Sequence, residues 1–179
     1  MAFINHGKSP SSASYEYVIL PMISTERLKA FTVNPPYRVI RNDEAVHIIE
    51  SGMMRGYAFY DNQVKIQDEI IFSVDRQSII YLEKTETNLI LTAADPDIGA
   101  GWLPEKFRDL PWNTYGDKEI YAAKVTAKPR PLKVILHGNW QSYDNDKNVS
   151  VISKKNARSE ITVLCQDGIS YEIRLNKKK

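Results

Sequence analysis

A chain of 179 residues, 42% hydrophobic and 26% charged, can bury a substantial core and fits one large domain or two small ones. The formal net charge is +2, and basic residues are scattered apart from Lys177-Lys178-Lys179. That excludes the basic stripe of a nucleic-acid binder. No apolar run approaches the ~20 residues that span a bilayer, and the N-terminus lacks the basic, apolar, small-residue order of a signal peptide.

Period-two alternation dominates the chain. Tyr15, Tyr17 and Ile19 share one face of an expected strand, with Glu16, Val18 and Leu20 on the other. One helix follows. Ser24 or Thr25 caps it, Glu26 occupies its first turn, and Leu28 and Phe31 give it an apolar edge. Pro35-Pro36 ends it.

Short strands then come quickly: 37–41, 46–50 and 57–60, separated by turn formers such as Asn42-Asp43 and Ser51-Gly52. Ile70, Phe72 and Val74 alternate with Ile71 and Ser73. Ile79, Tyr81 and Glu83 alternate with Ile80 and Leu82, and Leu89, Leu91 and Ala93 continue the pattern. Further strands are expected at 120–125, 132–137, 149–153, 161–165 and 169–175. The fold class is therefore all-β, an antiparallel β-sandwich with one short connecting helix near the N-terminus. The stretch 95–117, DPDIGAGWLPEKFRDLPWNTYGD, breaks the rhythm as a long loop, and such loops are commonly functional or mobile.

Candidate chemistry is sparse. The single Cys165 excludes an internal disulfide framework, and its parity with Ile161 and Val163 makes it a buried structural thiol. His6, His47 and His137 read as structural histidines, in no metal-binding spacing. Neither a Gly-x-Ser-x-Gly elbow nor a phosphate-binding glycine loop occurs, so no cofactor is expected. Asp95-x-Asp97 and Asp144-Asn145-Asp146 group oxygen ligands as calcium prefers, but neither completes an EF-hand, and they read as turn residues whose side chains bond their own backbone, so no metal is expected. Asn148-Val149-Ser150 is a glycosylation sequon. The aromatic residues are more suggestive. Trp102, Trp112 and Tyr115 lie in the long loop and Trp140 follows His-Gly-Asn in an apparent turn. Sugars pack flat C–H faces on such rings, and the same residues serve equally as a cap on the core or an interdomain contact.

The segments INHGKSPSSASYEYVIL, YRVIRNDEAVHIIE, GYAFY, LILTAADPD and GNWQS, in this order and spacing, resemble the C-terminal end of chondroitin sulfate ABC lyases of polysaccharide lyase family 8. The resemblance falters between about Ile98 and Asp117, an apparent insertion. It implies a parent enzyme with an α/α toroid, a central β-sandwich and a C-terminal β-domain, secreted or periplasmic, cleaving glycosaminoglycan by β-elimination at a uronic acid. It further implies that residues 1–22 are the last strand or strands of the central sandwich and 23–179 the C-terminal β-domain. The family's catalytic motifs do not occur here, so no catalytic residue is expected and the chain alone is expected to be inactive. The toroid and central sandwich are its implied partners, with chondroitin sulfate or a related polysaccharide. The readings set against this one are an autonomous carbohydrate-binding module and a small enzyme with an unrecognised site.

Overall fold

The computed structural model describes residues 8–9, 11, 16–66, 68–96, 129–143 and 146–178. The chain divides into two compact units, Met1–Pro36 and Tyr37–Lys179. In the first, helix α1 spans Thr25–Val33. The Ser24 side chain accepts from the Arg27 N–H at 3.3 Å, and the Asn34 N–H donates to the Ala30 carbonyl at 3.0 Å before the two prolines. No residue of α1 is buried. Residues 16–20 form no strand, and Tyr17 and Ile19 are largely exposed. The alternation there marks a segment suited to a sheet, but strand formation also needs an adjacent ladder, which sequence pattern alone does not supply.

The second unit is an all-β sandwich. Its strands are β1 (Arg38–Asn42), β2 (Val46–Ser51), β3 (Met54–Phe59), β4 (Ile71–Val74), β5 (Ser78–Lys84), β6 (Asn88–Ala94), β7 (Arg130–His137), β8 (Trp140–Ser142), β9 (Val149–Lys154), β10 (Arg158–Cys165) and β11 (Tyr171–Lys177). One sheet runs β1-β2-β3-β5-β6-β11-β8 and the other β4-β7-β10-β9. The strand pairings among the described residues are antiparallel. The expected strand at 120–125 lies outside the described residues.

Alternation builds the core directly. Ile80, Leu82, Leu89, Leu91, Ile173 and Leu175 point inward from the large sheet, and Leu132, Val134, Leu136, Ile161 and Val163 from the small one. Each fully buried aliphatic side chain contributes about 1.5–3 kcal/mol. Cys165 is buried among them, and burial pushes its thiol up from the ordinary value. Around β4 the simple alternation fails. Ile70, Ile71 and Val74 are buried while Phe72 is only half-buried. A register shift between Ile71 and Ser73 against β7 is the cause, because a bulge sets an extra residue in one strand and reverses the parity beyond it. Phe72 instead lies under the Arg158 guanidinium, 3.5 Å from the ring centroid, with the His137 ring edge-on.

The turns follow their chemistry. Asp43 Oδ1 accepts from the N–H groups of Ala45 and Val46 at 2.9 and 3.0 Å, closing β1 to β2. Gly52, at φ +59°, makes the tight turn to β3, where left-handed backbone favours glycine.

Candidate functional site

Trp140 is the one sequence-nominated aromatic residue among the described residues; Trp102, Trp112 and Tyr115 lie outside them, as do His6, Asp97, Asp144 and Asn145. Trp140 opens β8 rather than sitting in a turn. The turn is Gly138-Asn139, with Gly138 at φ +96° and its missing Cβ position 3.1 Å from the indole Nε1. The indole is 5% exposed and donates to the His137 carbonyl at 2.8 Å. Its backbone N–H donates to the buried Ser159 hydroxyl at 2.7 Å, which in turn donates to the Gly138 carbonyl at 2.9 Å. The ring therefore packs into the sandwich and offers only an edge to solvent.

Beside it is an open hollow of about 510 Å³. The cause is strand length. β8 has three residues and its neighbour across the sandwich, β9, has six, so the inner face of β9 is left partly uncovered. Trp140, Val149 and Val151 form the apolar floor, and Gln141, Ser142, Ser153, Lys147, Lys178 and Asp146 the polar rim. Asp146 is committed to its own turn, where Oδ1 accepts from the Asn148 N–H at 2.8 Å. Nothing in the sequence marked Gln141, Lys147, Ser153 and Lys178 as neighbours. They come from a turn, two strands and a tail that only the crossovers between the sheets bring together.

A second hollow, of about 410 Å³, is lined by Asn62, Gln63, Asp75, Arg76, Gln77, Asp95 and Arg130. Asp95, nominated for calcium, is an ion-pair acceptor here: Arg130 approaches Oδ2 at 2.9 Å and Arg76 at 3.5 Å. Another network closes the loop before β4. Arg55 reaches Asp68 at 2.7 Å, Glu69 at 3.2 Å and Glu50, which also pairs with Arg38. Asp68 Oδ1 accepts from the Tyr57 hydroxyl at 3.1 Å and from the N–H groups of Ile70 and Ile71 at 2.8 and 2.9 Å. Burial, with Asp68 beside it, pushes the Tyr57 hydroxyl well above the usual phenol range. These groups hold backbone and one another, which is structural work. His47 Nδ1 shares a hydrogen bond with the Tyr60 hydroxyl at 3.1 Å. No cluster of three or more metal-binding side chains occurs among the described residues, and no helix there is long and apolar enough to cross a membrane.

The outer face of the large sheet carries a further feature. Register places Val39 opposite Ile49, Ile49 opposite Gly56 and Gly56 opposite Tyr81 in one row. The next row runs His47, Ala58, Ile79 and Ala94. Val39, Ile49, Ile79 and Tyr81 are all exposed, so an apolar strip lies open across β1, β2, β3 and β5.

No family model matches the chain. Among curated proteins, it is 29% identical over 184 residues to the chondroitin sulfate ABC exolyase of Bacteroides thetaiotaomicron, covering 97% of this chain and 18% of that enzyme. It is also 29% identical over 183 residues to the chondroitin sulfate ABC endolyase of Proteus vulgaris, covering 98% of this chain and 16% of that enzyme. The chain thus spans under a fifth of the length of these relatives. Among solved structures, the chondroitin AC lyase of Streptomyces coelicolor A3 in complex with chondroitin sulphate superposes with TM-score 0.64 at 11% identity, over 97% of this chain and 19% of that one. A Paenibacillus xanthan lyase gives TM-score 0.60 at 10% identity, over 89% and 13%. These structures show the shared fold, and the two curated relatives show the kinship: the chain is homologous to chondroitin sulfate ABC lyases and matches a C-terminal region of such an enzyme.

Proposed function

We propose that this chain is the non-catalytic C-terminal β-domain of a larger, secreted or periplasmic lyase that cleaves chondroitin or dermatan sulfate by β-elimination, and that it supports the catalytic unit. The observation that carries the reading is the apolar strip Val39, Ile49, Ile79 and Tyr81, exposed on one face of the large sheet. Scattered exposed apolar residues need no explanation, but a contiguous strip marks an interface. More than four-fifths of each curated relative lies outside the matched region, which is consistent with a domain inside a larger enzyme; on this reading the occupant of the strip is the central β-sandwich or α/α toroid of the parent.

Two measurements test this. The purified chain, incubated with chondroitin sulfate, is expected to release no unsaturated product; release would overturn the non-catalytic assignment. Ile49→Lys with Ile79→Lys is expected to lower the melting temperature of a full lyase carrying this segment while leaving the isolated chain unchanged. An equal effect in both, or in neither, would remove the docking role. An autonomous carbohydrate-binding module is the second reading, favoured by the polar hollow beside Trp140. Trp102, Trp112 and Tyr115 belong to that reading, and their replacement by Ala is expected to weaken polysaccharide retention on an affinity column; unchanged retention would remove them from it.

A further inference from the structure

We propose that the hollow between β8 and β9 binds an acidic saccharide, with Lys147 and Lys178 holding its carboxylate or sulfate. Its volume of about 510 Å³ is in the range of small-ligand sites, ~300–1,000 Å³, but its rim is polar. Such a rim suits a ligand carrying hydroxyls and anionic groups over a limited apolar face, which describes a sugar acid or sulfated sugar. The two hollows differ in how their cations are used. In the hollow at Asp95, both arginines already face a buried carboxylate, and the charge is neutralised internally. At β8 and β9, no ion pair of Lys147 or Lys178 and no side-chain hydrogen bond of Gln141 or Ser153 occurs among the described residues, and the one carboxylate lining the space, Asp146, accepts from the Asn148 N–H of its own turn. Two ammonium groups, an amide and a hydroxyl therefore converge on one space with their donors unspent. Val149 and Val151, half-buried, with the exposed edge of Trp140, give a sugar a small apolar surface. This deepens the lyase-domain reading by giving the domain a contact with polymer.

The test is a titration of the ¹⁵N-labelled 179-residue chain with a chondroitin sulfate hexasaccharide, a neutral hexasaccharide and inorganic sulfate. The acidic hexasaccharide is expected to shift the Trp140 indole, the Gln141 side-chain amide and the Lys147 and Lys178 backbone signals, with affinity falling as salt rises. Lys147→Ala with Lys178→Ala should weaken binding by about fivefold, the scale of two exposed ion pairs. Lys84→Ala with Lys133→Ala changes net charge equally elsewhere and should leave it within about twofold. Shifts located elsewhere, equal losses in both double variants, or binding by inorganic sulfate as tight as by the hexasaccharide would each overturn the proposal. The first two would mean nonspecific attraction and the third a simple anion site. Homology and the docking experiment would stand in any of these cases, so failure here is distinguishable from failure of the lyase-domain reading.

Discussion

Asp68→Ala is expected to destabilise the sandwich by about 3–4 kcal/mol. The Asp68 side chain is 4% exposed and faces Arg55, itself 13% exposed, at 2.7 Å. It also accepts from Tyr57 and from two backbone N–H groups. Each buried donor left without a partner costs about 1–3 kcal/mol, and three donors besides Arg55 lose theirs. Breaking a buried ion pair alone costs about 3–5 kcal/mol, but Arg55 keeps Glu50 and Glu69, so its share falls well below that. Asp68→Asn keeps an oxygen for Tyr57, Ile70 and Ile71 while giving up the charge opposite Arg55, and should cost about 2 kcal/mol. In a domain of this size 1 kcal/mol shifts the melting temperature by about 3 °C, so the Ala variant should melt about 10 °C lower. Urea unfolding followed by tryptophan fluorescence checks the free energies, and a cycle with Arg55→Met should return a coupling of at least about 1 kcal/mol. An Ala variant within about 1 kcal/mol of the parent chain, or one indistinguishable from the Asn variant, would refute the reasoning.

Ser159→Ala strips partners from the Trp140 N–H and the Gly138 carbonyl and should cost about 2 kcal/mol in the same unfolding assay. Ala157 sits at φ +49° in the turn after β9, where an L side chain is disfavoured, so Ala157→Gly should raise stability by roughly 0.5–1 kcal/mol, read as a higher melting temperature. Arg38 and Arg55 hold Glu50 below its ordinary 4.5, and Arg41 with the Val46 N–H holds Asp43 below 3.8. The stability these carboxylates contribute is complete above those ordinary values and is lost as pH falls through the lower folded ones. Melting temperature should therefore drop between pH 5 and 3, and a flat profile would count against both pairs. For Cys165 the sign reverses: its contribution is whole below the ordinary 9.0 and declines at higher pH, and the thiol should react with a disulfide reagent only after denaturant is added.

The fold was readable where one rule governed many residues. Alternation set Ile80 and Leu82 on one face of their strand and Leu89 and Leu91 on one face of theirs, and all four are buried. Cys165 was readable as core by the same parity. Pattern failed where partners decide. At β4 the bulge reversed the parity of Phe72, and bulges are set by the neighbouring strand rather than by the bulged one. Trp140 read as a turn residue because β8 has only three residues, too few to alternate visibly. The hollow was invisible for a deeper reason: Lys147 and Lys178 are 31 residues apart, and only the sheet crossovers make them neighbours. Asp95 was read chiefly as a turn residue, and its arginine partners, Arg76 and Arg130, were not legible because they arrive from other parts of the chain.

Strand order explains how one small domain can serve both roles proposed for it. The apolar strip occupies the β1-β2-β3-β5 half of the large sheet, and the hollow opens at the β8 edge. Between β5, the strip's nearest strand, and β8 lie three strand spacings, about 14 Å at roughly 4.8 Å each. A partner seated on the strip therefore need not cover the hollow, and sites so far apart with no shared side chain act additively. The two also differ in chemistry: the strip offers aliphatic and aromatic carbon, which favours permanent contact, and the hollow offers unspent donors, which favour an exchangeable polar ligand. On the reading proposed above, a domain anchored by the first and open at the second would hold polymer beside a catalytic unit.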